Sequence, residues 1–327
     1  MLQEKAISNF FHGKSATALV MIVASLCALF AWQQGAVAHI SDYLGLGLPA
    51  PDSWLPFTPL TTLVNMGLNL LVALLFIYIN RSYNILRSLT ALPGTMFLAM
   101  QIAIPTVTGQ FYGGTLLVLV ALWCISLMFS VYAEPRGQQR VFLIFFLLSA
   151  AAFTQAAFML YLPVMVIGCL QMRILNLRTV IATILGIITP PWILFGFGII
   201  DPRHIVWPEL VMSWSGFDPM EMAQAMTVTL VTVTTGVVFT VANLLKILSY
   251  NSRIRAFNGF LTIMEIFTAI FILLNFNNFT FYIPLLNCLV AYQVGHFFTY
   301  RRSKRSYIPI LLLMLVFFGL YVWGVFM

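Results

Sequence analysis

The loop between residues 201 and 221 holds the densest set of side chains that could do chemistry. Arg203 and His204 adjoin each other there, and Asp201 and Glu209 flank them. A guanidinium binds phosphate through two parallel hydrogen bonds, so this set predicts a binding site for a phosphate or pyrophosphate head group. An ion pair of Arg203 with Asp201 or Glu209 inside the loop accounts for the same residues, and both interpretations stay open.

A further acidic group lies in the loop over residues 33–59, which contains no lysine or arginine. Asp42 occurs in this loop, shortly after the first long apolar run. A carboxylate in such a place can deprotonate or orient the hydroxyl group of an acceptor. Asp42 is therefore a candidate catalytic residue, and the alternative is an acid that is merely solvated in its loop.

Glu265 stands inside an apolar run, where an ionisable side chain is costly. Such a group usually faces the interior of a helix bundle, so it indicates a functional position. Gln293 and His296, in the next apolar run, are its candidate partners. The pattern predicts a proton relay of the kind that suits a transporter, or else a protonated glutamate with a structural role.

Four amide side chains fall in the outer halves of apolar runs or on one helix face. Asn65 and Asn69 are four residues apart and share a face, while Gln101 and Gln155 belong to two other runs. Together they predict a polar cavity that opens to the outside. The alternative is hydrogen bonding between helices, worth about 0.6 to 2 kcal/mol for each side chain.

Apolar helices must position all of these groups, because the composition excludes a water-soluble protein. The chain has 327 residues, of which 61% are hydrophobic and 8% are charged, whereas a soluble domain carries about 25% charged residues. Apolar runs of roughly 17 to 25 residues recur, and each is long enough to cross a bilayer as a helix. The sequence predicts an all-α polytopic transmembrane bundle that forms a single integral membrane domain over residues 1–327.

Several classes of partner and cofactor are not expected. The basic residues lie in short loops between apolar runs, which argues against nucleic acid. There is no phosphate-binding P-loop, no glycine-rich dinucleotide loop and no zinc signature, so we expect no cofactor and no metal. Buried small hydrophobic side chains are the predicted role of the four cysteines, which are Cys27, Cys124, Cys169 and Cys288.

About eleven spans are predicted. Residues 141–172 are too many for one span, and the polar Thr154-Gln155 pair near their middle indicates two short helices, the second of them broken at Pro163. Pro190 and Pro191 predict a kinked or split span, because a proline inside a helix removes a hydrogen bond and clashes with the preceding turn. The other spans cover residues 16–32, 60–79, 89–107, 115–132, 180–200, 222–248, 257–276, 282–298 and 307–327.

The charges orient these spans. If eleven spans alternate in direction, fifteen of the sixteen lysine and arginine residues fall on one side of the membrane, and only Arg203 falls on the other. Basic residues near span ends stay in the cytoplasm, so we expect a cytoplasmic N-terminus and an outside C-terminus. The outer loops, 33–59 and 201–221, hold six of the nine acids. Ala36-Val37-Ala38 resembles a signal-peptidase site, and a cleaved signal over residues 1–38 stays open.

Two stretches carry a resemblance to a known family. The opening ISNFF and the later LRTVIATILGIITPPWILFG resemble an uncharacterised family of bacterial multi-pass inner-membrane proteins. This resemblance implies a location in the bacterial inner membrane and no particular activity. The architecture of about eleven spans, short paired helices and acidic outer loops is similar to GT-C-type glycosyltransferases and O-antigen polymerases. That similarity implies an enzyme that acts on a polyprenyl-phosphate-linked sugar, with Asp42 as the acid of the first outer loop.

Three functions therefore stay open. The first is a protein of cell-envelope biogenesis that handles a lipid-linked glycan at the outer face, as the Arg203 loop and Asp42 suggest. The second is a secondary transporter that uses the intramembrane Glu265. The third is a non-catalytic subunit of a larger complex, with another membrane protein as its partner.

Overall fold

Helices make up the regular structure of this chain. The computed structural model describes residues 14–35, 45–56, 58–86, 90–134, 136–201, 205, 219–246, 250–275, 278–300 and 307–326. Within these ranges there are α-helices and two short 3-10 helices, and no strand occurs there. The all-α class that the composition predicts is confirmed.

Twelve α-helices follow one another along the described ranges. They are α1 (Lys14–Gln33), α2 (Pro59–Tyr83), α3 (Leu92–Ile102), α4 (Pro105–Gly109), α5 (Gly113–Ser130), α6 (Gln138–Ala152), α7 (Tyr161–Gln171), α8 (Leu177–Gly196), α9 (Pro219–Leu244), α10 (Ser252–Leu274), α11 (Phe279–Tyr300) and α12 (Tyr307–Val325). The 3-10 helices are Pro51–Ser53, before α2, and Ala156–Leu160, before α7.

The long helices have the properties of membrane spans. Eight of them are long and apolar enough to cross a membrane: α1, α2, α5, α8, α9, α10, α11 and α12. Three shorter apolar segments, over residues 92–102, 138–152 and 156–171, coincide with the other predicted spans. The chain is therefore a multi-pass helical membrane protein.

The span predicted over residues 89–107 is divided into α3 and α4. Ile104 between them has an extended backbone, with φ −115° and ψ 101°. Pro105 explains this conformation, because the ring of a proline pushes the preceding residue out of the helical region. The predicted third span is therefore interrupted at Ile104, and Pro105 carried the signal for the break.

Residues 138–171 form a helical hairpin. Helix α6 ends at Ala152, and the chain turns through Phe153 and Thr154 into the second 3-10 helix and α7. The backbone N–H of Ala133 donates to the carbonyl of Met172 at 3.0 Å, so the end of α7 returns beside the start of α6. The two short helices that the Thr154-Gln155 pair predicts are present. Pro163 lies in the first turn of α7 and does not break it.

Helix α8 continues through its two prolines. Pro190 and Pro191 lie inside the helix that runs from residue 177 to residue 196, so the span is not split. Pro191 has no N–H with which to bond the carbonyl of Ile187. The hydroxyl of Ser149 on α6 donates to that carbonyl at 2.8 Å, and the polar group freed by the proline is satisfied.

Charge is segregated to opposite ends of the bundle. We call one end the basic end, because it carries the described side chains Arg81, Arg136, Arg140, Arg173, Arg178, Lys246, Arg253 and Arg255. Rings of Tyr83 and Tyr132 pack on Phe257 there and join the ends of α2 and α5 to the start of α10. The opposite, acidic end carries Asp52, Asp201 and Glu221.

Helix α11 is the central helix of the bundle. Its residues are buried from Phe279 to His296, and it packs against α3, α5, α9 and α10. A helix with so little lipid contact can carry polar side chains, because neighbouring helices supply their partners. Asn287, Gln293 and His296 are such side chains. The four cysteines are free and buried, as the sequence predicts.

Candidate functional site

Glu265 lies near the middle of α10 and is buried, with 7% of its surface exposed. The hydroxyl of Thr240 on α9 donates to its carboxylate oxygen Oε2 at 2.9 Å. Gln293 on α11 lies near this carboxyl group. The structure thus brings Glu265 to the junction of three helices and places it near one of the two partners that the sequence suggests.

Further polar side chains extend this junction, which we call the Glu265 network. The amide nitrogen of Asn243 donates to Oε1 of Gln293 at 2.9 Å and to its backbone carbonyl at 3.0 Å. The amide nitrogen of Gln293 donates to the hydroxyl of Thr262 at 3.1 Å. Each member of the network is neutral apart from Glu265 itself, and in the described residues no basic side chain forms an ion pair with it.

Gly236 provides the space for the carboxyl group. It lies on α9, one turn from Thr240, and a Cβ atom at this position would collide with Oε1 of Glu265 and approach Cγ2 of Val290 to 2.8 Å. Any larger residue there would displace the glutamate side chain. The close approach of α9 to α10 and α11 therefore depends on a glycine at this position.

His296 occupies a place closer to the basic end. Its ring packs against Tyr250, with 5.1 Å between ring centroids, and against Tyr292 at 6.0 Å. It lies on the same helix as Gln293, about one turn further along. The hydrogen bonds of the Glu265 network run through Gln293. His296 lies about one helical turn from Gln293, on the side of the basic end.

The amides predicted to form a polar cavity do not form one group. Asn65 donates to the carbonyls of Val107 and Thr108 at 3.1 and 3.0 Å. Its oxygen accepts from Thr115 at 2.7 Å, and Asn69 donates to the Asn65 carbonyl at 2.9 Å. Asn65 therefore donates hydrogen bonds to backbone carbonyls of the irregular segment around α4. For this residue the structure supports hydrogen bonding between helices, the alternative to a polar cavity.

Gln101 belongs to a separate pair. Its oxygen accepts from the amide of Asn287 on α11 at 3.1 Å. The Gln101 amide nitrogen and the Asn287 and Asn69 oxygens are buried without a partner in the protein. Buried polar atoms of this kind usually bind water, so hydration of this part of the bundle, on the acidic side of Gln293, is consistent with the predicted cavity.

Gln155 lies at the acidic end under the first outer loop. Its oxygen is aimed at the backbone of Gly113, where any Cβ atom would collide with it, and this oxygen has no hydrogen-bond partner in the protein. The N–H of Gly113 donates to Oδ1 of Asp52 at 2.8 Å. Burial raises the pKa of Asp52 above its ordinary value, and the hydrogen bond from Gly113 opposes that rise.

The residues proposed to hold a lipid head group lie mostly outside the described ranges. Asp42, Arg203, His204 and Glu209 are among these, so the geometry of that site stays a prediction. Asp201 is described and lies exposed just after α8. The structure therefore does not describe the arrangement of the residues on which the lipid-linked-glycan hypothesis depends.

Several residues of this region escaped the sequence reasoning. Asn243, Thr240 and Gly236 were not distinguished from the other polar and small residues of α9, although their spacing of three to four residues puts them on one helix face. Asn287 and Asp52 were also missed. A polar residue in the middle of an apolar run was the signal for Asn287, and nothing local indicated that Asp52 reaches Gly113.

Comparison with known proteins adds no relative. No protein-family model, curated protein or solved structure matches this chain.

Proposed function

We propose that this protein is a proton-coupled secondary transporter in which Glu265 takes up and releases the proton. The observation that carries the proposal is the Glu265 carboxyl group, buried at the junction of α9, α10 and α11 among neutral hydrogen-bonding side chains. Of the functions that the sequence leaves open, this one rests on residues whose contacts are described.

The partners of Glu265 suit both protonation states of a carboxyl group. A threonine hydroxyl donates to a carboxylate and accepts from a carboxylic acid by rotating its hydrogen. Thr240 therefore stays bonded when the proton arrives or leaves. A basic partner would instead hold the glutamate permanently ionised, because it would compensate the charge without a proton. Because the partners of Glu265 are neutral, its buried negative charge can be neutralised by binding a proton.

Interrupted helices give further support. Transporters commonly build their sites where helices are discontinuous, because freed backbone groups can then face a solute. The break between α3 and α4 and the hairpin of α6 and α7 are two such interruptions. Each has an unpartnered amide atom beside it, since Gln101 lies in the last turn of α3 and Gln155 follows the turn of the hairpin.

We further propose eleven crossings, with the N-terminus in the cytoplasm and the C-terminus outside. The described basic residues share one end of the bundle, where Glu134 pairs with Arg140, and three of the five described acids, Asp52, Asp201 and Glu221, lie at the other. Cytoplasmic loops are rich in lysine and arginine. We retain the bacterial inner membrane as the expected location, and a lipid-linked glycan or a partner subunit as alternatives.

Proteoliposomes test the transport proposal. Purified protein is reconstituted around a pH-sensitive dye, a proton gradient is imposed, and pools of amino acids, nucleosides, sugars and organic cations are added in turn. We expect one pool to cause proton flux with the wild-type protein. Glu265→Gln should abolish that flux, because an amide cannot carry the proton while it keeps the size and the hydrogen bond of the carboxyl group.

Glu221→Gln is the matched control. It makes the same chemical change at an exposed position in the first turn of α9, so its flux should equal that of the wild type. Solute-dependent flux that survives Glu265→Gln unchanged would remove the proton role of Glu265. Failure of every pool to cause proton flux would count against the transporter itself.

A further inference from the structure

Three buried side chains that lie between the acidic end and Glu265 carry a polar atom without a partner in the protein. These atoms are the amide nitrogen of Gln101, the side-chain oxygen of Asn287 and the hydroxyl oxygen of Thr232. Each of the three residues is at most 2% exposed. The side-chain oxygen of Gln110, which lies just before α5 at the acidic end, is a fourth such atom. Buried polar atoms of this kind usually bind ordered water.

Thr232 and Asn287 lie at one level on α9 and α11, which both run from the acidic end toward the basic end. Gly236 of α9 faces Val290 of α11, whose Cγ2 would come within 2.8 Å of a Cβ atom at Gly236. Thr232 precedes Gly236 by four residues, and Asn287 precedes Val290 by three. Both side chains therefore lie on the facing sides of their helices, one turn closer to the acidic end. Because Oε1 of Glu265 lies against Gly236, it is about 4.5 to 6 Å along the helix axes from both.

The hydroxyl of Thr232 differs from those of its neighbours on α9. The hydroxyls of Thr227, Thr229 and Thr235 each donate to the carbonyl four residues earlier, at 2.7 Å. The hydroxyl of Thr232 is buried and bonds nothing in the protein. It is therefore available to a water molecule beside Oε1 of Glu265.

We propose that ordered water between Gln101, Asn287 and Thr232 carries protons between the acidic end of the bundle and Glu265. A proton enters at the acidic end, passes along the hydrogen bonds of this water and protonates Oε1 of Glu265, and the reverse passage releases it. The inference rests on the proposed proton role of Glu265, and it adds the route and the side from which the proton comes.

The unpartnered atoms match the hydrogen-bonding needs of water. Gln101 offers a donor, Asn287 an acceptor and Thr232 both, and a buried water makes about three hydrogen bonds. The amide of Asn287 donates to the oxygen of Gln101 at 3.1 Å, so the unpartnered atoms of this pair belong to one site.

Ionisable side chains do not supply the route. Helix α9 has none between Glu221 and Lys246, and α10 has none between Glu265 and its end at Leu274. The ionisable residues of α11 are Tyr282, Cys288, Tyr292, His296 and Tyr300. Among the described residues of these helices, no continuous chain of ionisable groups leads to Glu265, so water is the carrier.

On the basic side of Glu265, polar side chains bond one another directly. Asn243 donates to the side-chain oxygen of Gln293 at 2.9 Å, and Gln293 donates to Thr262 at 3.1 Å. Unpartnered polar atoms recur beyond this layer, as on Asn258, but none belongs to the layer itself. In this conformation Glu265 therefore exchanges protons with the acidic end.

Titration of Glu265 from each side of the membrane tests this route. In sealed membrane vesicles of one orientation, the pH on one side is varied from about 5 to about 9 while the other side is held constant. Dicyclohexylcarbodiimide, which crosses membranes and reacts with protonated carboxyl groups, is added, and mass spectrometry measures its attachment to Glu265. Labelling of Ser53→Cys by an impermeant thiol reagent identifies the side of the acidic end, since the native cysteines are buried. We expect attachment to fall roughly tenfold or more as pH rises on that side, and to stay constant as pH rises on the other.

Thr232→Val and Asn287→Leu remove polar atoms of the route and keep the volume. A proton meets a high barrier in a dry apolar gap, so each variant should reduce the effect of pH on the acidic side to less than about threefold. Thr232→Ser keeps the hydroxyl and should respond as the wild type does. Thr229→Val is the matched control, since the Thr229 hydroxyl bonds only its own helix, and it should also respond fully. Size-exclusion chromatography checks the folding of each protein.

The outcomes separate the route from the proton role of Glu265. Attachment that depends on the pH of the basic side, or a full response in both Thr232→Val and Asn287→Leu, would refute the route and leave the proton role intact. Attachment that responds to pH on neither side would contradict the proton role itself, and the route with it.

Discussion

At the scale of single residues, Asp52 is the charged group whose behaviour is most readily tested. It caps α5 through Gly113, and burial raises its pKa above the ordinary value of 3.8. A raised pKa in the folded state means that the folded protein binds the proton more tightly than the unfolded chain does. The stability from this group is therefore present at acid pH and is lost as pH rises through the raised pKa.

Asp52→Asn should remove the loss of stability that the wild type suffers as pH rises. The asparagine oxygen can still accept from Gly113, but the side chain cannot ionise, so the variant should gain thermal stability relative to the wild type as pH rises from acid to neutral. Asp52→Ala should instead lose about 0.5 to 2 kcal/mol at acid pH, because the cap itself is gone, and this deficit relative to the wild type should shrink as pH rises, because alanine cannot ionise either. Unfolding of the detergent-solubilised proteins followed by circular dichroism measures both. A pH-independent difference between the Asp52→Asn variant and the wild type would contradict the assignment.

At the scale of elements, the break between α3 and α4 depends on a side chain from α9. The amide nitrogen of Gln224 donates to the carbonyl of Ala103 at 2.7 Å and to that of Leu320 at 3.2 Å. The Ala103 carbonyl lies at the break, where the helix no longer supplies a partner. Backbone groups inside a membrane must be satisfied within the protein, so Gln224 stabilises the interruption.

Gln224→Leu should therefore destabilise the protein by about 1 to 3 kcal/mol, the cost of leaving a buried carbonyl unpaired while volume is kept. Thr227→Val on the same helix is the control. Its hydroxyl is exposed and bonds only its own helix, at Ala223, so its effect should stay within about 0.5 kcal/mol. Thermal unfolding compares the two, and equal effects would show that the Gln224 bond has no role in holding the break.

At the scale of the whole molecule, the segregation of charge predicts which end faces the cytoplasm. Ser53 is exposed in the 3-10 helix of the acidic end, and Ser252 is exposed at the start of α10 at the basic end. In a background without the four native cysteines, Ser53→Cys should react with a membrane-impermeant thiol reagent on intact cells. Ser252→Cys should react only after the membrane is permeabilised.

The permeabilised sample is the control for accessibility, because both cysteines should react fully there. Labelling of Ser252→Cys but not Ser53→Cys in intact cells would reverse the orientation. Labelling of both in intact cells would contradict a fixed topology.

Much of the architecture followed from the sequence because it depends on local properties. The length of an apolar run determines whether a helix can span a membrane, and this property belongs to consecutive residues. Thr154 and Gln155 marked the turn of the hairpin because polar residues interrupt such a run. Glu265 was identified for the same reason, since a charge within an apolar run needs no knowledge of its neighbours to be unusual.

The tertiary structure decided which side chains meet. Gly236, Thr240 and Gln293 surround Glu265 only because α9, α10 and α11 are rotated to face one another. Such rotation depends on packing between helices that are distant in sequence, and in lipid it is directed by close contacts and interhelical hydrogen bonds rather than by the hydrophobic pattern. The sequence by itself therefore determined the helices, their polar interruptions and the separation of charge. The packing of those helices alone decided that a buried glutamate has neutral partners and that Asp52 caps α5.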